Sequence, residues 1–311
     1  MSSPPNRQGR KITVVGGSGN IGSHIVSALA ASGIHEVSVI SRPESTAKLP
    51  ASVTVRRGAY DDETFLVSAL AGQDALVVAL GFQAMDAQVP LIRAAARAGV
   101  PYVVPCEFGS DPTNEPLCRE VFFMNAKKPY RDLIEALGAS SWVGVVNNPW
   151  FDYCLPPGFF EIDVKKRTAT YFDGGSYKAN LTTMPRVGAS LSALLSQPEP
   201  VLSQHKNSFV YFSSFSASQR DIVSSAQRAT GTSDADWTLS EKSTASVLEW
   251  SRAETAQGNL MAAGRALFAL AFTEGYGGDY SDRVVDYAAL GLEAGEDLDE
   301  VMRRLVAEMG A

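Results

Sequence analysis

Cysteine and histidine are scarce in this sequence, and neither residue occurs in a ligand-like pattern. The 311 residues include three cysteines, Cys106, Cys118 and Cys154, with no C-x-x-C pair, and three histidines that lie far apart. Disulfide scaffolds need paired cysteines, and thiol or imidazole metal sites need ligands at short spacings. We therefore expect no disulfide framework and no metal site, and the sparse cysteines are typical of a reduced, cytoplasmic protein.

Long hydrophobic runs and a positive net charge are also absent. The most apolar late stretch, residues 260–272, is interrupted by Arg265, and it is shorter than the roughly 20 residues that a transmembrane helix requires. With 27 basic and 34 acidic residues the net charge is −7, whereas nucleic acids and anionic membranes attract clustered lysine and arginine. We therefore expect neither a nucleic acid nor a membrane as partner, but a small-molecule substrate bound by a monomer or homodimer.

Short β-branched runs alternate with amphipathic helical patterns over the first half of the chain. The β-branched run at Lys11–Val15 predicts a buried parallel strand, and residues 20–31 predict the helix after it. The pattern predicts further strands at 35–40, 53–56, 75–79, 101–104 and 143–146, and further helices at 61–70, 88–98 and 119–137, the last kinked or broken by Pro129. This alternation is typical of an α/β fold of the Rossmann type, a doubly wound parallel sheet with helices on both faces.

The regular alternation ends after Asn147, where prolines punctuate an irregular segment. We interpret residues 1–10, which are polar and proline-rich, as a disordered lead-in without the apolar core of a signal peptide. Residues 11–149 are interpreted as the dinucleotide-binding Rossmann domain. Residues 150–311 are interpreted as a smaller, irregular α+β region on the substrate side, which can share elements with the sheet. Isolated β-like runs occur there at 168–172 and 209–212, and helical runs at 217–230, 243–257, 260–274 and 298–309.

A glycine-rich turn joins the first predicted strand to the first predicted helix. Gly17, Gly19 and Gly22 fit G-x-G-x-x-G, and Gly16, Gly19 and Gly22 fit the wider G-x-x-G-x-x-G variant. Glycine lets the backbone approach a pyrophosphate closely, and the helix N-terminus supplies free N–H groups. A purely structural turn is the alternative, but the strand before it and the helix after it favour a dinucleotide. The predicted cofactor-binding residues of this turn are Gly16, Gly17, Ser18, Gly19, Asn20, Ile21 and Gly22.

The end of the second strand indicates which dinucleotide is bound. An NAD site usually places Asp or Glu about 20 residues beyond the glycines, but this sequence has Ser41-Arg42 there. A guanidinium can bind a 2′-phosphate through two hydrogen bonds, whereas a carboxylate would repel it. We therefore predict NADPH/NADP⁺ as the cofactor, with Arg42 on the 2′-phosphate. The alternatives are an exposed loop role for Arg42 and, because Glu44 is close by, NAD(H).

The usual proton donors of reductases and hydrolases are missing from the sequence. None of the ten tyrosines is followed by lysine four residues later, and no G-x-S-x-G motif occurs. The first absence disfavours the Tyr-x-x-x-Lys chemistry of standard short-chain dehydrogenases, and the second disfavours a serine hydrolase. A different acid–base group is therefore needed for a reductase on this fold.

Several segments resemble the isoflavone reductase-like branch of the NmrA-like family, whose members are atypical short-chain reductases. Residues 79–95 are similar to the family's fourth strand, its glycine turn and its Q-x-x-L-I-x-A-A helix. Residues 104–109 resemble its PSEFG signature, with Cys106 in place of the usual serine. Residues 127–135 resemble its K-x-x-x-R-x-x-I-E helix, and residues 174–179 its glycine-plus-KA turn. The resemblance is close over residues 11–190 and loose over the C-terminal third.

The resemblance implies an NADPH-dependent reductase of secondary metabolism that transfers hydride to a small aromatic or conjugated metabolite. It further implies that a single lysine beside the nicotinamide acts as general acid or base. Alignment on Arg131 places this lysine at Lys127, which would be both catalytic and cofactor-binding, with Lys128 as the neighbouring alternative. A solvated pair of surface lysines is the structural alternative. The alternative function is that of a non-catalytic NADP(H)-sensing regulator of the NmrA type, which acts through protein partners.

Residues at the carboxyl ends of the predicted strands complete the expected site, because open α/β sheets bind ligands in that crevice. Gly81 and Phe82, after the fourth strand, are expected to contact the cofactor. The alternatives are an ordinary turn glycine and a core aromatic for Gly81 and Phe82, and capping of the following segment for Glu107. For the aromatic residues Trp150 and Phe151, the alternative is to anchor the second region against the sheet. The expected substrate-binding residues are Glu107, Phe108, Asn148, Trp150 and Phe151.

Overall fold

Strands and helices alternate along the first half of the chain in the computed structural model, which describes residues 7–311. Two 3₁₀ helices, Phe82–Ala87 and Phe122–Lys127, directly precede the α-helices that begin at Gln88 and Lys128. Strands β1–β6 comprise Lys11–Val15, Glu36–Ser41, Thr54–Arg57, Ala75–Val78, Tyr102–Val104 and Ser141–Val146. Helices α1–α5 comprise Asn20–Ala31, Glu63–Leu70, Gln88–Ala98, Glu115–Glu120 and Lys128–Leu137.

The second half of the chain mixes short strands with helices of very different length. Strands β7–β12 comprise Ile162–Asp163, Thr168–Phe172, Ala179–Leu181, Ser208–Tyr211, Phe215–Ala217 and Thr238–Lys242. Helices α6–α12 comprise Phe151–Cys154, Met184–Leu195, Glu199–Leu202, Gln219–Thr230, Thr244–Ala256, Met261–Ala271 and Leu298–Met309. No helix within residues 7–311 is long and apolar enough to cross a membrane.

A seven-stranded parallel sheet forms the centre of the molecule, with the strand order β10-β6-β5-β4-β1-β2-β3. Strands β1 to β3 extend the sheet toward one edge, and β4 to β6 extend it toward the other. The switch point lies between β1 and β4, which are parallel, hydrogen-bonded neighbours. In doubly wound sheets, this switch point is where a crevice opens at the carboxyl ends of the strands. The predicted Rossmann-type fold is therefore confirmed. The seventh strand, β10, comes from the second half of the chain, so the two regions share the sheet.

Helices cover both faces of this sheet, which explains the continuous apolar runs in its strands. In β4, Ala75 and Val77 join a core on the face covered by α1 and α7. Leu76 and Val78 join a separate core on the face covered by α2, α3 and α5. A further core lies outside the main sheet, where the small sheet β12-β8-β7 packs with α9, α11 and α12. The described chain thus combines a regular sheet with an irregular second region.

The helix predicted at 119–137 is wrong as a single element. The chain forms α4, breaks at Val121 in an extended conformation, makes the 3₁₀ turn Phe122–Lys127, and then enters α5. Pro129 lies in the first turn of α5, where a missing N–H costs nothing. The proline therefore starts a helix instead of kinking one, and it leaves Lys127 at the junction.

Residues 1–6 of the predicted disordered lead-in lie outside the described residues. Arg10, also in that lead-in, is buried, and its guanidinium donates hydrogen bonds to the carbonyl oxygens of Leu195 and Gln197, the latter at 2.7 Å. The backbone N–H of Gln8 donates to the carbonyl oxygen of Ser196 at 2.7 Å. Residues 8–10 are therefore anchored to the end of α7.

Candidate active site

The glycine turn between β1 and α1 is closed so tightly that side chains are excluded from it. Gly16 has a φ of +81°, and a Cβ at this position would overlap the carbonyl oxygen of Ala79 at the end of β4. A Cβ on Gly22 would overlap the carbonyl oxygen of Gly16. The backbone N–H of Gly19 donates to that same oxygen at 2.9 Å. The turn is therefore held against the switch point of the sheet in a form that only glycine permits.

The N-terminus of α1 offers uncapped backbone donors at this turn. Gly19 is the capping residue and has no side chain to accept a hydrogen bond, and the first turn contains no acidic residue. Free N–H groups and the positive end of the helix dipole favour an anion at such a terminus. Ser18 and Asn20 are exposed, whereas the Ile21 side chain is buried in the core. Ile21 can therefore contribute only its backbone to a ligand.

A cleft of about 310 Å³ runs from the glycine turn along the end of β2 to Arg42. A second cavity of about 450 Å³ continues beyond it and shares Arg42 and Tyr60 with the cleft. The Arg42 side chain is 66% exposed, and its Nε lies 3.3 Å from a Glu44 carboxylate oxygen. Burial raises the pKa of the Tyr60 phenol, which keeps it neutral. A guanidinium thus stands between two cavities, with an exposed acidic neighbour on one side.

Gly81 and Phe82 lie at the opposite wall of the cleft, where β4 ends. Gly81 lines the cleft, but a Cβ added to it would meet no atom within 4 Å. Phe82 is 61% exposed, and its ring meets that of Phe123 edge-on at 6.0 Å. Phe82 is therefore a surface aromatic next in sequence to a residue that lines the cleft, and the backbone at Gly81 does not require glycine for space.

The two adjacent lysines point in different directions. Lys127 is half-buried at the end of the 3₁₀ turn, and its Nζ donates a hydrogen bond to the carbonyl oxygen of Glu107. A Cβ on Gly109 would lie 3.8 Å from that Nζ. The Nζ of Lys128 instead donates to both carboxylate oxygens of Asp132 at 2.7 Å on the exposed side of α5. Lys127 alone of the two thus faces the carboxyl end of β5.

Cys106 links the ends of two neighbouring strands beside Lys127. Its thiol donates to the carbonyl oxygen of Leu80 at 2.9 Å, and its backbone N–H donates to the buried side chain of Gln88 at 2.8 Å. Burial raises the pKa of this thiol, although the nearby Lys127 ammonium opposes the shift. The cysteine therefore acts as a neutral hydrogen-bond donor that fixes the wall of the crevice.

Glu107, one of the expected substrate-binding residues, is engaged in an internal ion pair. Its side chain is 4% exposed and pairs with the guanidinium of Arg131, which is 10% exposed. Arg131 in turn lies over the rings of Phe209 and Trp142, at 5.0 and 5.6 Å from their centroids. The carboxylate is thus used to fix α5 against β5, and only the Glu107 carbonyl reaches Lys127.

Three of the other four expected substrate residues are buried in the structure. Phe108 packs in the main core, and Phe151 is fully buried in the second core, stacked on Phe160 at 6.0 Å. Asn148 is buried, and its side-chain N–H donates to the carbonyl oxygen of Gly278 at 2.8 Å. These side chains connect the two regions of the molecule. Trp150, in contrast, remains partly exposed at the end of the sixth strand.

Exposed aromatic rings that the sequence reasoning missed lie directly before Lys127. Phe122 is exposed, and Phe123 meets it edge-on at 5.5 Å and also contacts Phe82. The signal was present as the Phe122-Phe123 pair four residues ahead of the lysine. The helix predicted over 119–137 does not include the break at Val121 that exposes these rings. We name Phe82, Phe122 and Phe123 the first aromatic row.

A second set of contacting rings begins at Trp150. Its ring meets Tyr153 edge-on at 5.8 Å, Tyr153 meets Phe159 at 6.4 Å, and Phe159 stacks on Phe268 at 5.1 Å. Tyr153 and Phe159 are exposed. We name these four residues the second aromatic row. Partly exposed aromatic surface of this kind is typical of sites for flat, apolar ligands.

Comparison with known proteins identifies relatives over nearly the whole chain. Residues 8–151 match the model of the NmrA-like family. The oxidoreductase aprR of Aspergillus flavus is 30% identical over 279 residues, which cover 88% of this chain and 90% of that protein. Pinoresinol reductase 2 of Arabidopsis thaliana is 34% identical over 150 residues, which cover 42% of this chain and 46% of that protein.

A solved structure has the same fold. The structure described as "AtPrR2 with NADP+ and (+)pinoresinol" matches with a TM-score of 0.79 at 21% sequence identity. The match covers 96% of this chain and 99% of the solved chain. The agreement extends through both the sheet and the irregular second region.

Proposed function

Because this chain belongs to the NmrA-like family and is an oxidoreductase, we propose that it is an NADPH-dependent reductase of secondary metabolism. The proposed reaction transfers hydride to a small aromatic or conjugated metabolite, and Lys127 is the general acid or base. The observation that carries the proposal is the separation of the two lysines. Lys127 lies at the crevice on the Glu107 carbonyl, whereas Lys128 is held on the surface by Asp132.

The residues at the switch point fit a phosphorylated dinucleotide. The glycine turn has no room for a Cβ at Gly16 or Gly22, so its backbone can approach a phosphate closely, and the uncapped N-terminus of α1 provides donors for a pyrophosphate. Arg42, at the far end of the cleft, would bind a 2′-phosphate through its exposed guanidinium. The similar solved structure is described as AtPrR2 with NADP⁺, which supports this choice of cofactor. Bound NADPH supplies the hydride.

Reduction of a double bond requires one proton in addition to the hydride, and Lys127 Nζ is proposed to supply it. The amine is fixed by the Glu107 carbonyl, and Glu107 is fixed by Arg131 through the buried ion pair. Such positioning lets a proton pass without prior movement of the side chain. In the oxidative direction the same nitrogen would accept the proton.

The two aromatic rows support a flat, largely apolar acceptor. The first row includes Phe122 and Phe123, which lie shortly before Lys127 in the sequence. The second row begins beyond the end of β6, at the carboxyl ends of the strands, where Lys127 also lies. Aromatic side chains bind ring systems through stacked and edge-on contacts. The relatives named pinoresinol reductase carry an aromatic compound in their names, which favours this acceptor class here.

Cofactor titration and an acceptor screen test the proposal. We expect NADPH to bind more tightly than NADH, and Arg42→Ala to weaken NADPH binding about 10- to 100-fold, because hydrogen bonds between charged groups are strong. NADH binding should stay unchanged, and Arg304→Ala, on the exposed side of α12, is the matched control. Equal affinity of the intact protein for both dinucleotides would contradict the cofactor assignment.

The acceptor screen separates the enzyme from the regulatory alternative. Quinones, enones and imines are offered with NADPH, and loss of nicotinamide absorbance is recorded. Turnover of at least one aromatic acceptor is the expected result. Tight binding of both NADP⁺ and NADPH without turnover of any acceptor, together with recovery of a protein partner, would favour the non-catalytic regulator.

A further inference from the structure

A cavity of about 270 Å³ opens in the second region, away from the dinucleotide cleft. It lies where the parallel strands β8 and β12 end side by side, with Phe172 and Lys242 as register partners. Trp250 of α10 and Arg265 of α11 form its other wall. None of its lining residues belongs to the glycine turn, to either aromatic row or to the surroundings of Lys127.

Two cations and one acid line this cavity. Lys242 Nζ lies 3.1 Å from a Glu161 carboxylate oxygen and 5.4 Å from the centre of the Phe172 ring. Arg265 lies over the Trp250 ring at 5.8 Å. Within residues 7–311, no carboxylate lies within 4.0 Å of the Arg265 guanidinium. Among the described residues the cavity therefore carries one positive charge in excess, which belongs to Arg265.

We propose that this cavity binds a small aromatic carboxylate with a single ring. Arg265 would hold the carboxylate through two parallel hydrogen bonds, which match the fork of a guanidinium. Trp250 and Phe172 would pack against the ring. The excess of one charge favours a monoanion over a dianion, and the volume lies just below the usual range for small-molecule sites, which favours a ligand with a single ring.

Calorimetric titration of the full-length protein, saturated with NADP⁺, tests this site with defined probes. Benzoate and trans-cinnamate should bind saturably, whereas benzamide, which lacks the charge, and cyclohexanecarboxylate, which lacks the aromatic ring, should bind more weakly. Arg265→Gln should weaken benzoate binding at least about 10-fold, since a charge-assisted pair is lost. Arg303→Gln, on the exposed face of α12, should leave it unchanged.

The affinity for NADP⁺ provides the internal check, because the proposed site is separate from the dinucleotide cleft. It should be the same in the Arg265→Gln variant and in the unaltered protein, which also shows that the variant is folded. Absence of saturable benzoate binding, or benzoate binding by Arg265→Gln as tight as by the unaltered protein, would overturn the proposal. Equal binding of benzamide and benzoate would also overturn it.

Discussion

Substitution of Arg131 by methionine should lower the free energy of unfolding by about 3–5 kcal/mol, the range for removing one partner of a buried ion pair. Methionine keeps much of the aliphatic packing of arginine over Phe209 and Trp142 but provides no charge. The Glu107 carboxylate, 4% exposed, would then be buried without a partner. Most of the expected loss is therefore the cost of this unpaired charge and not the strength of the pair itself.

The double variant Glu107→Met/Arg131→Met separates these two contributions. It removes both charges and replaces them with apolar side chains of similar length, a change that often costs less than about 1.5 kcal/mol. We therefore expect the double variant to be more stable than Arg131→Met alone. A strong coupling between the two positions in this double-mutant cycle would show that the ion pair is internal.

Urea unfolding, followed by circular dichroism and tryptophan fluorescence, measures these differences in the free energy of unfolding. The comparison requires that the variants share the same m value, the dependence of this free energy on urea concentration. Arg119→Met is the matched control, because its partner Glu115 is 86% exposed and such surface pairs contribute less than about 1 kcal/mol. The reasoning is refuted if Arg131→Met costs less than about 1 kcal/mol, or if the losses of the two single variants simply add in the double variant. Either result would show that the ion pair is not internal, and Glu107 would then be a candidate for substrate contact.

Two further predictions concern the glycine turn and the pairing of α9 with α12. Gly22→Ala should abolish NADP⁺ binding and lower the melting temperature, because its Cβ would overlap the Gly16 carbonyl. Gly264→Ala, in α11 and with open space around its Cβ, should do neither, and scanning fluorimetry with and without NADP⁺ distinguishes the two variants. The Arg228 guanidinium and the Ser225 hydroxyl lower the pKa of Asp299 from 3.8 to about 2, so the charged carboxylate stabilises the fold above its unfolded pKa and loses this effect as pH falls towards 2. Asp299→Asn should thus lower the free energy of unfolding by at most about 1 kcal/mol at pH 6, since the Arg228–Asp299 pair is solvent-accessible. Urea unfolding should show this difference shrinking below pH 4. A difference independent of pH would contradict the prediction.

The parts of the molecule that were predictable from the sequence are those set by local chemistry. A β-branched run such as Lys11–Val15 has few options other than a buried strand, and the glycines of the turn are required by backbone geometry that no other residue can adopt. The order of strands then follows from short right-handed connections. In the structure Gly16 and Gly22 lie at the switch point of the sheet, beside the end of β4.

The side-chain directions at the ends of the strands were not predictable in the same way. Trp150 and Phe151 are neighbours in sequence, yet one is partly exposed and the other is fully buried. A short helix begins between them, and its orientation depends on a core built from residues far along the chain. For the same reason Glu107 could not be assigned, because its partner Arg131 is 24 positions away.

The choice between Lys127 and Lys128 depended on a break in the chain that periodicity does not show. A continuous helix would place both side chains on its surface, about 100° apart. The 3₁₀ turn and the proline-started α5 instead turn Lys127 inward and leave Lys128 beside Asp132. The structure thus gives a geometric reason to distinguish them, and their roles in catalysis remain a proposal to be measured.

The central claim is that Lys127 is the general acid or base. Single-turnover experiments test it most directly, by comparing the rate of hydride transfer from bound NADPH in Lys127→Met and in Lys128→Met. The acceptor is the one identified by the screen, and NADPH affinity is measured in parallel. We expect Lys127→Met to bind NADPH and lose at least about 100-fold in rate, as for removal of a general acid. Lys128→Met removes only an exposed ion pair and should react like the unaltered protein. Full turnover by Lys127→Met with NADPH bound would contradict the account.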